Sequence, residues 1–374
     1  MTDIQTSTPD ISESQLPSKL QNAGISGAGG GGFPSYVKWR SLENARYLLV
    51  NHQESEPNCY IDKWIGSRYA QELAAFFDAL LDAGLQTIVI GAKHAHRDPW
   101  LRPLEDATDG TVYEPDQLPI DCEKTSGVVF AYTDDVYEYG MENVLLRVVA
   151  GTVIGKDLPV DYGWIVQNTE TIYNIYRAIR DDRPVLRKYV HIDGFRPDGS
   201  RLPHTMLEAP IGTSAGTLLE TAGVDPGMVT DDRILVEGGP GWCFKIQRPP
   251  HRYGIRKHTN CLLVLGAETA AENVYANGRI NVLEQYDWSL SDPDTDPTTV
   301  QPDRVHVPII TNEEYWELVT PSTAVVERGD HVQQGDVIAK AEPRGDGFCL
   351  AHHAPIDGTV TDVTIHEIEL QRTA

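Results

Sequence analysis

The sequence is poor in the residues that mark disulfide-bonded, cluster-binding or membrane-spanning proteins. Only five of its 374 residues are cysteine, and no two of them form a Cys-x-x-Cys pair. An odd number of scattered cysteines argues against a disulfide framework and against a complete iron–sulfur cluster supplied by this chain alone. No apolar run approaches the ~18 residues that a membrane-spanning helix needs, so we expect no direct membrane insertion.

Basic residues are also scarce. The chain carries 31 Lys and Arg against 55 Asp and Glu, which gives a formal net charge of -24. This excess of negative charge argues against nucleic acid or an anionic membrane surface as a direct partner. The first residues lack the basic and apolar regions of a secretory signal, which predicts a cytoplasmic protein, or one held at the membrane periphery through a partner complex.

The charge is spread in an unusual way. Arg outnumbers Lys, and acidic residues occur along the whole chain instead of in one tail. Hydrated carboxylates keep a protein dispersed where salt screens ordinary charge repulsion. We therefore expect a halophilic protein.

The length predicts two or three domains, at about 150 residues per domain. The first residues of the sequence are polar and show no periodicity. The pattern of apolar residues changes after Pro184, and the stretch 289–303 is rich in Pro and Asp. These features predict a disordered arm at 1–16, an α/β domain at 17–184, a small α+β domain at 185–248, an irregular acidic linker at 249–318 and a β domain at 319–374.

The pattern of the first large domain alternates between strands and helices. Apolar runs at 47–51 and 87–91 predict strands on either side of a helix near 69–81. Further strands are expected at 127–132 and 164–166, and further helices at 142–149 and 169–179. Such alternation predicts a doubly wound, Rossmann-like parallel sheet that binds ligands at the carboxyl ends of its strands.

The pattern of apolar residues after Pro184 is different. Short β runs near 190–192, 210–214 and 233–240 surround a helix at 216–222, as expected of a small mixed sheet. The last fifty residues carry repeated Gly-Asp turns between short strands, which predicts a compact β sandwich or barrel.

A glycine-rich string runs from Gly24 to Gly32 and continues into Phe33, Pro34 and Lys38. Glycines let the backbone approach a phosphate closely, and the lysine adds a positive charge a few residues later. A glycine run on its own is more often a flexible loop. The aromatic and basic residues that follow favour the phosphate-binding interpretation.

Three shorter strings follow predicted strands or enter predicted helices. The first, Asn51 to Pro57, places Glu54 and Glu56 at a sheet edge, although two such acids are also typical of a solvated turn. The second, 137–142, is a Tyr-x-x-Gly-x-Glu turn. The third is Asn-x-Glu-Thr at 168–171, where Asn168 or Thr169 is expected to cap the next helix.

In this order and spacing the four strings resemble the family of the flavin-binding 51 kDa subunit of respiratory complex I, the C component of the Rnf electron-transport complex and the cobalamin reductase of propanediol utilisation. The resemblance spans roughly residues 20–265 and the C-terminal sixty. The matching positions in this sequence are Gly27, Gly29, Gly30, Gly32, Phe33, Pro34, Lys38, Asn51, Glu54, Glu56, Pro57, Tyr137, Gly140, Glu142, Asn168, Glu170 and Thr171.

The resemblance implies two ligands, FMN and NADH. By it the glycine-loop amides, Lys38, Asn51 and Asn168 hold FMN, while Phe33, Glu56 and Glu142 face the nicotinamide nucleotide, with Glu56 and Glu142 as the catalytic positions. Glu54 orients ribityl or nucleotide hydroxyls, and Tyr137, Gly140 and Thr171 complete the cofactor-binding set. The small α+β domain resembles the SLBB-type β-grasp domain, and the end resembles the barrel-sandwich hybrid of lipoyl and biotin carriers, without a carrier lysine in 342–353.

The sequence also departs from the family. Relatives continue from a Thr-Asn string into cysteine-rich cluster motifs, whereas 262–301 contains no cysteine after Cys261, which is expected to be a core thiol. We therefore expect an FMN-dependent NADH dehydrogenase-type subunit that passes electrons to a separate iron–sulfur or other electron-transfer subunit. The alternatives are a non-catalytic scaffold subunit and a cobalamin or flavin reductase. No metal site is expected, since His94, His96, His352 and His353 lack partners at ligand spacing.

Overall fold

The computed structural model describes residues 11–12, 14–290, 296–312, 318–343 and 345–373. The chain divides into two compact units. The first comprises the chain up to Ile25, Pro34–Ser55 and Tyr60–Arg183, and the second comprises Ser26–Phe33, Glu56–Cys59 and the chain from Pro184 onward.

The first unit is built on a parallel sheet. Its described strands are β1 (Tyr47–His52), β2 (Thr87–Lys93), β3 (Thr111–Tyr113), β4 (Gly127–Thr133) and β5 (Trp164–Asn168), in the order β3-β4-β2-β1-β5. Every neighbouring pair is parallel. The expected Rossmann-like sheet is confirmed. Because β2 and β5 lie on opposite sides of β1, the strand order reverses at β1, where such sheets bind ligands.

Helices of the first unit are α1 (Leu16–Asn22), α2 (Ser35–Trp39), α3 (Ile61–Arg68), α4 (Ala70–Asp82), α5 (Arg102–Thr108), α6 (Glu142–Ala150) and α7 (Thr169–Asp181). The α6 side chains Leu145, Leu146 and Val149 pack against Leu49 and Val166 on one face of the sheet. Helices α4 and α7 contact each other and the strands β2, β1 and β5. Strand residues are buried on both faces, which explains the continuous apolar runs in the sequence.

The predicted C-terminal boundary of the disordered arm, at residue 16, is wrong. Helix α1 begins at Leu16, because Leu16 and Leu20 are spaced to bury one apolar stripe, and they are 2% and 0% exposed. Residues 1–10 and 13 lie outside the described residues. The short strand β3 and the helix α3 were not expected, since neither has a long periodic pattern.

The second unit contains a mixed sheet. Its described strands are β6 (Arg187–Gly194), β7 (Thr205–Pro210), β8 (Arg233–Gly239), β9 (Trp242–Lys245), β10 (Cys261–Gly266) and β11 (Thr298–Thr299), in the order β11-β7-β6-β10-β8-β9. Helix α8 (Ala215–Thr221) packs Leu218 and Leu219 onto this sheet. The expected helix and the strands near 190 and 233 are confirmed.

The expectation of irregular structure throughout 249–318 is wrong. Strand β10 is central, parallel to β6 and antiparallel to β8, and the short helix α9 (Ala267–Glu272) follows it. The run from Cys261 to Leu265 is fully buried, so its apolar character outweighs the loop-like residues around it.

Seven further strands form two small sheets in the second unit. They are β12 (Arg304–Pro308), β13 (Ser322–Ala324), β14 (His331–Val332), β15 (Val337–Pro343), β16 (His352–His353), β17 (Gly358–Val363) and β18 (Glu367–Arg372), ordered β12-β18-β17-β14 and β13-β15-β16 within the described residues. Val307, Ile338 and Leu370 belong to their shared core. Because β12 pairs with β18, this β structure begins before residue 319. Among the described ranges of the chain, none of the helices combines the length and apolar character that crossing a bilayer demands.

Candidate functional site

The carboxyl ends of β1, β4 and β5 meet at one edge of the parallel sheet in the first unit. Asn51 and Asn168 are directly paired across β1 and β5. The Gln53 side chain, just beyond β1, donates from Nε2 to Thr133 Oγ1 at the end of β4 over 3.1 Å. The motif residues after these strands are therefore gathered at the edge where parallel sheets bind ligands.

Lys38 connects the tail of the glycine string to this edge. Its Nζ lies 2.6 Å from Glu142 Oε2 and donates to the Val166 carbonyl in β5 over 3.0 Å. The Lys38 and Glu142 side chains are 29% and 37% exposed, so solvent and ligands can reach both. The arrangement holds a positive and a negative group side by side at the start of α6.

Asn51 fixes the Tyr-x-x-Gly turn. Its Nδ2 donates to the Gly140 carbonyl over 2.8 Å, at the end of the helical turn that contains Tyr137. A Cβ on Gly140 would lie 1.7 Å from Ser55 Oγ, so glycine is required there for close approach of the two strings. Asn51 thus holds the end of the turn that runs from Tyr137 to Gly140.

Glu54 is engaged with the protein backbone. It adopts a positive φ of 44°, and its Oε2 accepts from the amides of Asp62 and Lys63 at 2.5 and 3.3 Å. These amides belong to the first turn of α3, whose exposed N–H groups need such an acceptor. The alternative of a merely solvated turn does not describe Glu54, because its carboxylate accepts hydrogen bonds at the start of α3. Its expected role in orienting ligand hydroxyls stays a prediction.

Asn168 is the cap of α7. Its Oδ1 accepts from the Thr171 amide at 3.3 Å, and its Nδ2 donates to Asp62 Oδ2 at 2.5 Å. Asp62 Oδ1 also accepts from the Glu170 amide at 3.0 Å. Of the two candidates for this cap, the structure selects Asn168 over Thr169. Asp62 was missed from the sequence, since a single acid at a helix start carries no distinctive signal.

Some buried polar atoms of this unit make no hydrogen bond within the described residues. They include Ser35 Oγ, Gln167 Nε2 and His52 Nε2, from side chains at most 4% exposed. The other ring nitrogen of His52 lies 2.7 Å from Thr169 Oγ1. Burial, followed by the charge of Lys63, lowers the pKa of His52 to about 3, so the imidazole is neutral at pH 7.

The glycine loop, residues 26–33, belongs to the second unit. The Gly27 amide donates to the Phe33 carbonyl at 2.8 Å, the Gly32 amide donates to the Gly27 carbonyl at 2.9 Å, and Gly29 lies in the intervening turn. Gly30 and Gly32 have φ values of 96° and 64°, which side chains rarely adopt.

Three side chains of the second unit enclose this loop. A Cβ on Gly32 would meet His258 Nδ1 at 2.7 Å, and Asn312 Nδ2 donates to the Gly31 carbonyl at 3.0 Å. The Phe33 ring packs edge-on against Phe348, with 6.0 Å between centroids. His258 and Asn312 were missed, because they are distant in sequence from the glycine string.

Glu56 also lies in the second unit. Its Oε2 accepts from the Gly241 amide at 2.8 Å, and a Cβ on Gly239 would lie 2.2 Å from its Cγ. The structure therefore places the predicted residues in two groups. Lys38, Asn51, Glu54, Tyr137, Gly140, Glu142, Asn168 and Thr171 are in the first unit, and Gly27, Gly29, Gly30, Gly32, Phe33 and Glu56 are in the second.

Cysteine and histidine side chains have other surroundings. All five cysteines are buried and unbonded to one another, and Cys261 lies in an apolar cluster with Cys59 and Cys243. Cys261 is a core thiol, as expected. His94 Nε2 lies 3.1 Å from Glu114 Oε2. Among the described residues no group of three or more His, Cys, Asp or Glu is placed to hold a metal ion.

The sequence is similar to the sequences of known proteins. The cobalamin reductase PduS of Salmonella typhimurium is 29% identical over 260 residues, which cover 68% of this chain and 51% of that protein. The C component of the ion-translocating oxidoreductase complex of Vibrio cholerae is 29% identical over 265 residues, covering 70% of this chain and 30% of that protein. The chain thus spans about half, or less, of the length of these relatives.

A chain from the crystal structure of the H2-reduced NAD+-reducing NiFe-hydrogenase has a similar fold. The TM-score is 0.51 at 20% identity, over 69% of this chain and 48% of that one. The family model of the Nuo51 FMN-binding domain matches residues 20–177, which contain all of the motif residues placed above in the first unit. The resemblance drawn from the motifs is therefore confirmed: residues 20–177 match the model of the Nuo51 FMN-binding domain, and the C component of the ion-translocating oxidoreductase complex and the cobalamin reductase are relatives.

Proposed function

We propose that the protein is an FMN-dependent NADH dehydrogenase-type subunit that passes electrons from NADH to a separate protein. One observation carries the proposal. At a single edge of the parallel sheet, Lys38 contacts Glu142 and Asn51 contacts Gly140, so three strings distant in sequence meet where such sheets bind ligands. The match to an FMN-binding domain family supports the choice of cofactor.

The polar groups at this edge fit a phosphorylated flavin. Lys38 supplies a positive charge that remains partly accessible, and Ser35 Oγ and Gln167 Nε2 are buried without hydrogen-bond partners among the described residues. Buried polar atoms in native proteins are nearly always paired, so unpaired donors indicate a missing ligand or water. Lys38 and Asn51 are proposed to hold FMN.

Bound FMN supplies a group that accepts a hydride and gives up its electrons singly. The chain contributes position and electrostatics. Lys38 fixes the Glu142 carboxylate in place, and the bond from Asn51 holds the turn that precedes it. Glu142, so oriented, is proposed to contact the nicotinamide nucleotide. The roles of the glycine loop, Phe33, Glu56 and Asn168 are proposed from the motif match, and the side chain of Asn168 acts at least through its helix cap.

The positions of the cysteines support the proposal that the electron acceptor is a separate protein. All five are buried in packed cores, and three of them share one apolar cluster. The relatives include a protein named as part of an ion-translocating oxidoreductase complex. We propose an iron–sulfur or other electron-transfer subunit as the partner, with any membrane attachment provided by that partner.

The experiment uses the purified full chain. FMN is added and free FMN removed, and the protein is expected to show flavin absorbance that bleaches when NADH is added without oxygen. A colourless protein that takes up no FMN contradicts the proposal. Replacing NADH by NADPH in the same assay identifies the electron donor.

A second candidate is reduction of a corrinoid. The relative from Salmonella typhimurium is named as a cobalamin reductase, which favours this acceptor over others. The candidate predicts that cob(II)alamin reoxidises the NADH-reduced protein, and a quinone analogue serves as the control acceptor. A third candidate, a scaffold without catalysis, predicts FMN-free protein that co-purifies with an electron-transfer complex.

Two domain assignments are also proposals. The sheet β7-β6-β10-β8 with α8 supports an SLBB-type β-grasp domain, although its strands extend beyond the expected limit of residue 248. The paired small sheets near the C-terminus support a barrel-sandwich hybrid, in which 342–353 contains no carrier lysine.

A further inference from the structure

The Asp62 side chain joins the starts of two helices in the first unit. Asp62 lies in the first turn of α3 and is 7% exposed. Its Oδ1 accepts from the Glu170 amide, in the first turn of α7, at 3.0 Å. Its Oδ2 accepts from Asn168 Nδ2 at 2.5 Å. Both oxygens of this buried carboxylate are therefore engaged at the start of α7.

Asp62 is also held through its own backbone. Its amide donates to Glu54 Oε2 at 2.5 Å, just beyond β1. A run of hydrogen bonds thus leads from Glu54 through Asp62 to Asn168, the last residue of β5. Asn51 in β1 is the direct register partner of Asn168. The run therefore connects the segments that follow two neighbouring strands at the edge where parallel sheets bind ligands.

The Asp62 carboxylate determines which way the Asn168 amide faces. A carboxylate only accepts hydrogen bonds, whereas an amide side chain accepts at its oxygen and donates two hydrogens from its nitrogen. Asn168 therefore turns Nδ2 towards Asp62 and Oδ1 towards the Thr171 amide, which lies 3.3 Å away. The reverse orientation would oppose oxygen to oxygen on one side and two donors on the other.

Asn168 retains a donor for a ligand in this orientation. Asp62 accepts one of the two Nδ2 hydrogens, and the second has no acceptor within the described residues. The Asn168 side chain is only half-buried, at the carboxyl end of β5. A donor that is already held in one orientation binds its acceptor with a smaller loss of side-chain entropy.

We propose that Asp62 is a positioning residue of the cofactor site and acts through Asn168. Asp62 holds the Asn168 amide so that its second Nδ2 hydrogen is donated to an acceptor oxygen of FMN. This inference rests on the proposed function, because that function names FMN as the ligand of this edge.

The test measures FMN affinity of the purified full chain by quenching of FMN fluorescence. Asp62→Asn keeps an acceptor for the Glu170 amide but opposes a donor to Asn168 Nδ2, so Asn168 is expected to turn over. FMN binding should weaken about tenfold, as for the loss of one well-oriented hydrogen bond. Asp161→Asn is the matched control, because that carboxylate accepts from the Leu158 amide shortly before β5 begins. It should bind FMN as the parent does.

A double-mutant cycle tests whether Asp62 acts through Asn168. Asn168→Ser retains a capping oxygen for the Thr171 amide but has no amide hydrogen, and should also weaken FMN binding about tenfold. The double variant should again be about tenfold weaker, because the two changes remove the same contact. Ser214→Ala, which loses the cap of α8 to the Thr217 amide, controls for lowered stability and should keep parental FMN affinity. Urea unfolding confirms that each variant is folded under the assay conditions.

Two results overturn the inference: parental FMN affinity in Asp62→Asn, or a hundredfold loss in the double variant, which would show that the two residues act independently. If Asp62→Asn fails to fold, as judged by circular dichroism, the double variant Asp62→Asn, Asn168→Asp decides. It restores the hydrogen bond in the reverse direction but presents no amide hydrogen at position 168, so it should fold and bind FMN about tenfold less tightly. Parental FMN affinity in this variant also overturns the inference.

The parent chain separates this inference from the proposed function. A parent that takes up no FMN contradicts both. A parent that binds FMN with the same affinity as Asp62→Asn contradicts only the role of Asp62.

Discussion

Lys38 Nζ lies 2.6 Å from Glu142 Oε2, joining two side chains 104 positions apart in the sequence. The same ammonium group donates to the Val166 carbonyl, so it connects α2, α6 and β5. An accessible ion pair of this kind contributes little to stability. Because the pair lies at the edge where parallel sheets bind ligands, we propose that its main effect is on binding.

Lys38→Met is expected to weaken FMN binding about tenfold or more, because the loss of a charge-assisted contact to a phosphate is worth roughly 1.5–3 kcal/mol. Quenching of FMN fluorescence measures the affinity. Lys124→Met is the control, since Lys124 forms an exposed ion pair with Asp121 elsewhere. Equal FMN affinity in the parent and Lys38→Met would show that this lysine does not contact the cofactor.

Gly140→Ala is expected to lower the free energy of unfolding by about 1–3 kcal/mol, the usual range for an overpacked site. The added Cβ would lie 1.7 Å from Ser55 Oγ and 2.8 Å from its Cβ. Urea unfolding measures the effect. The double variant Ser55→Gly, Gly140→Ala removes both clashing atoms and should recover most of the loss. Gly31→Ala, where the space is open, should change little.

The sequence was informative where one local cause decides the structure. Strands such as Thr87–Lys93 are buried along their whole length, so their apolar runs identify them. Asn168 was recognised as a cap because a short polar side chain before a helix acts locally. The role of Glu54 was not foreseen, because it depends on a left-handed backbone and on α3, which no pattern predicted.

The features that the sequence did not predict depend on long-range contacts. Strand β10 lies between β6 and β8, which are distant in sequence, and the Pro- and Asp-rich stretch beyond it suggested a linker. His258 and Asn312 reach the glycine loop only through the folded second unit. Sequence spacing does not reveal such neighbours.

Stability is expected to fall as the pH is lowered from 7 to 5. Burial lowers the pKa of His52 from 6.5 to about 3, so the folded protein keeps this imidazole neutral while the unfolded chain takes up a proton below pH 6.5. The stabilisation is complete above pH 6.5 and is lost progressively towards pH 3. Between pH 7 and 5 this single group accounts for about 2 kcal/mol.

His52→Gln should therefore reduce the slope of unfolding free energy against pH by up to about 1.4 kcal/mol per pH unit below pH 6. Urea unfolding at several pH values gives the slope. His366→Gln is the control, because His366 is exposed. The assignment is contradicted if both variants retain the parental slope, whatever their stability at pH 7.

Molar KCl is expected to raise the midpoint of thermal unfolding by several degrees. The excess of 55 acidic over 31 basic residues makes the folded chain repel itself, and the screening length falls from about 10 Å at 0.1 M salt to about 3 Å at 1 M. Sucrose at matched osmolality separates screening from general solute exclusion. Neutralising two exposed acids, Glu123→Gln with Glu284→Gln, should reduce the KCl effect because it removes part of the repulsion. A midpoint that is independent of KCl, or equally raised by sucrose, would contradict the halophilic interpretation of this surface.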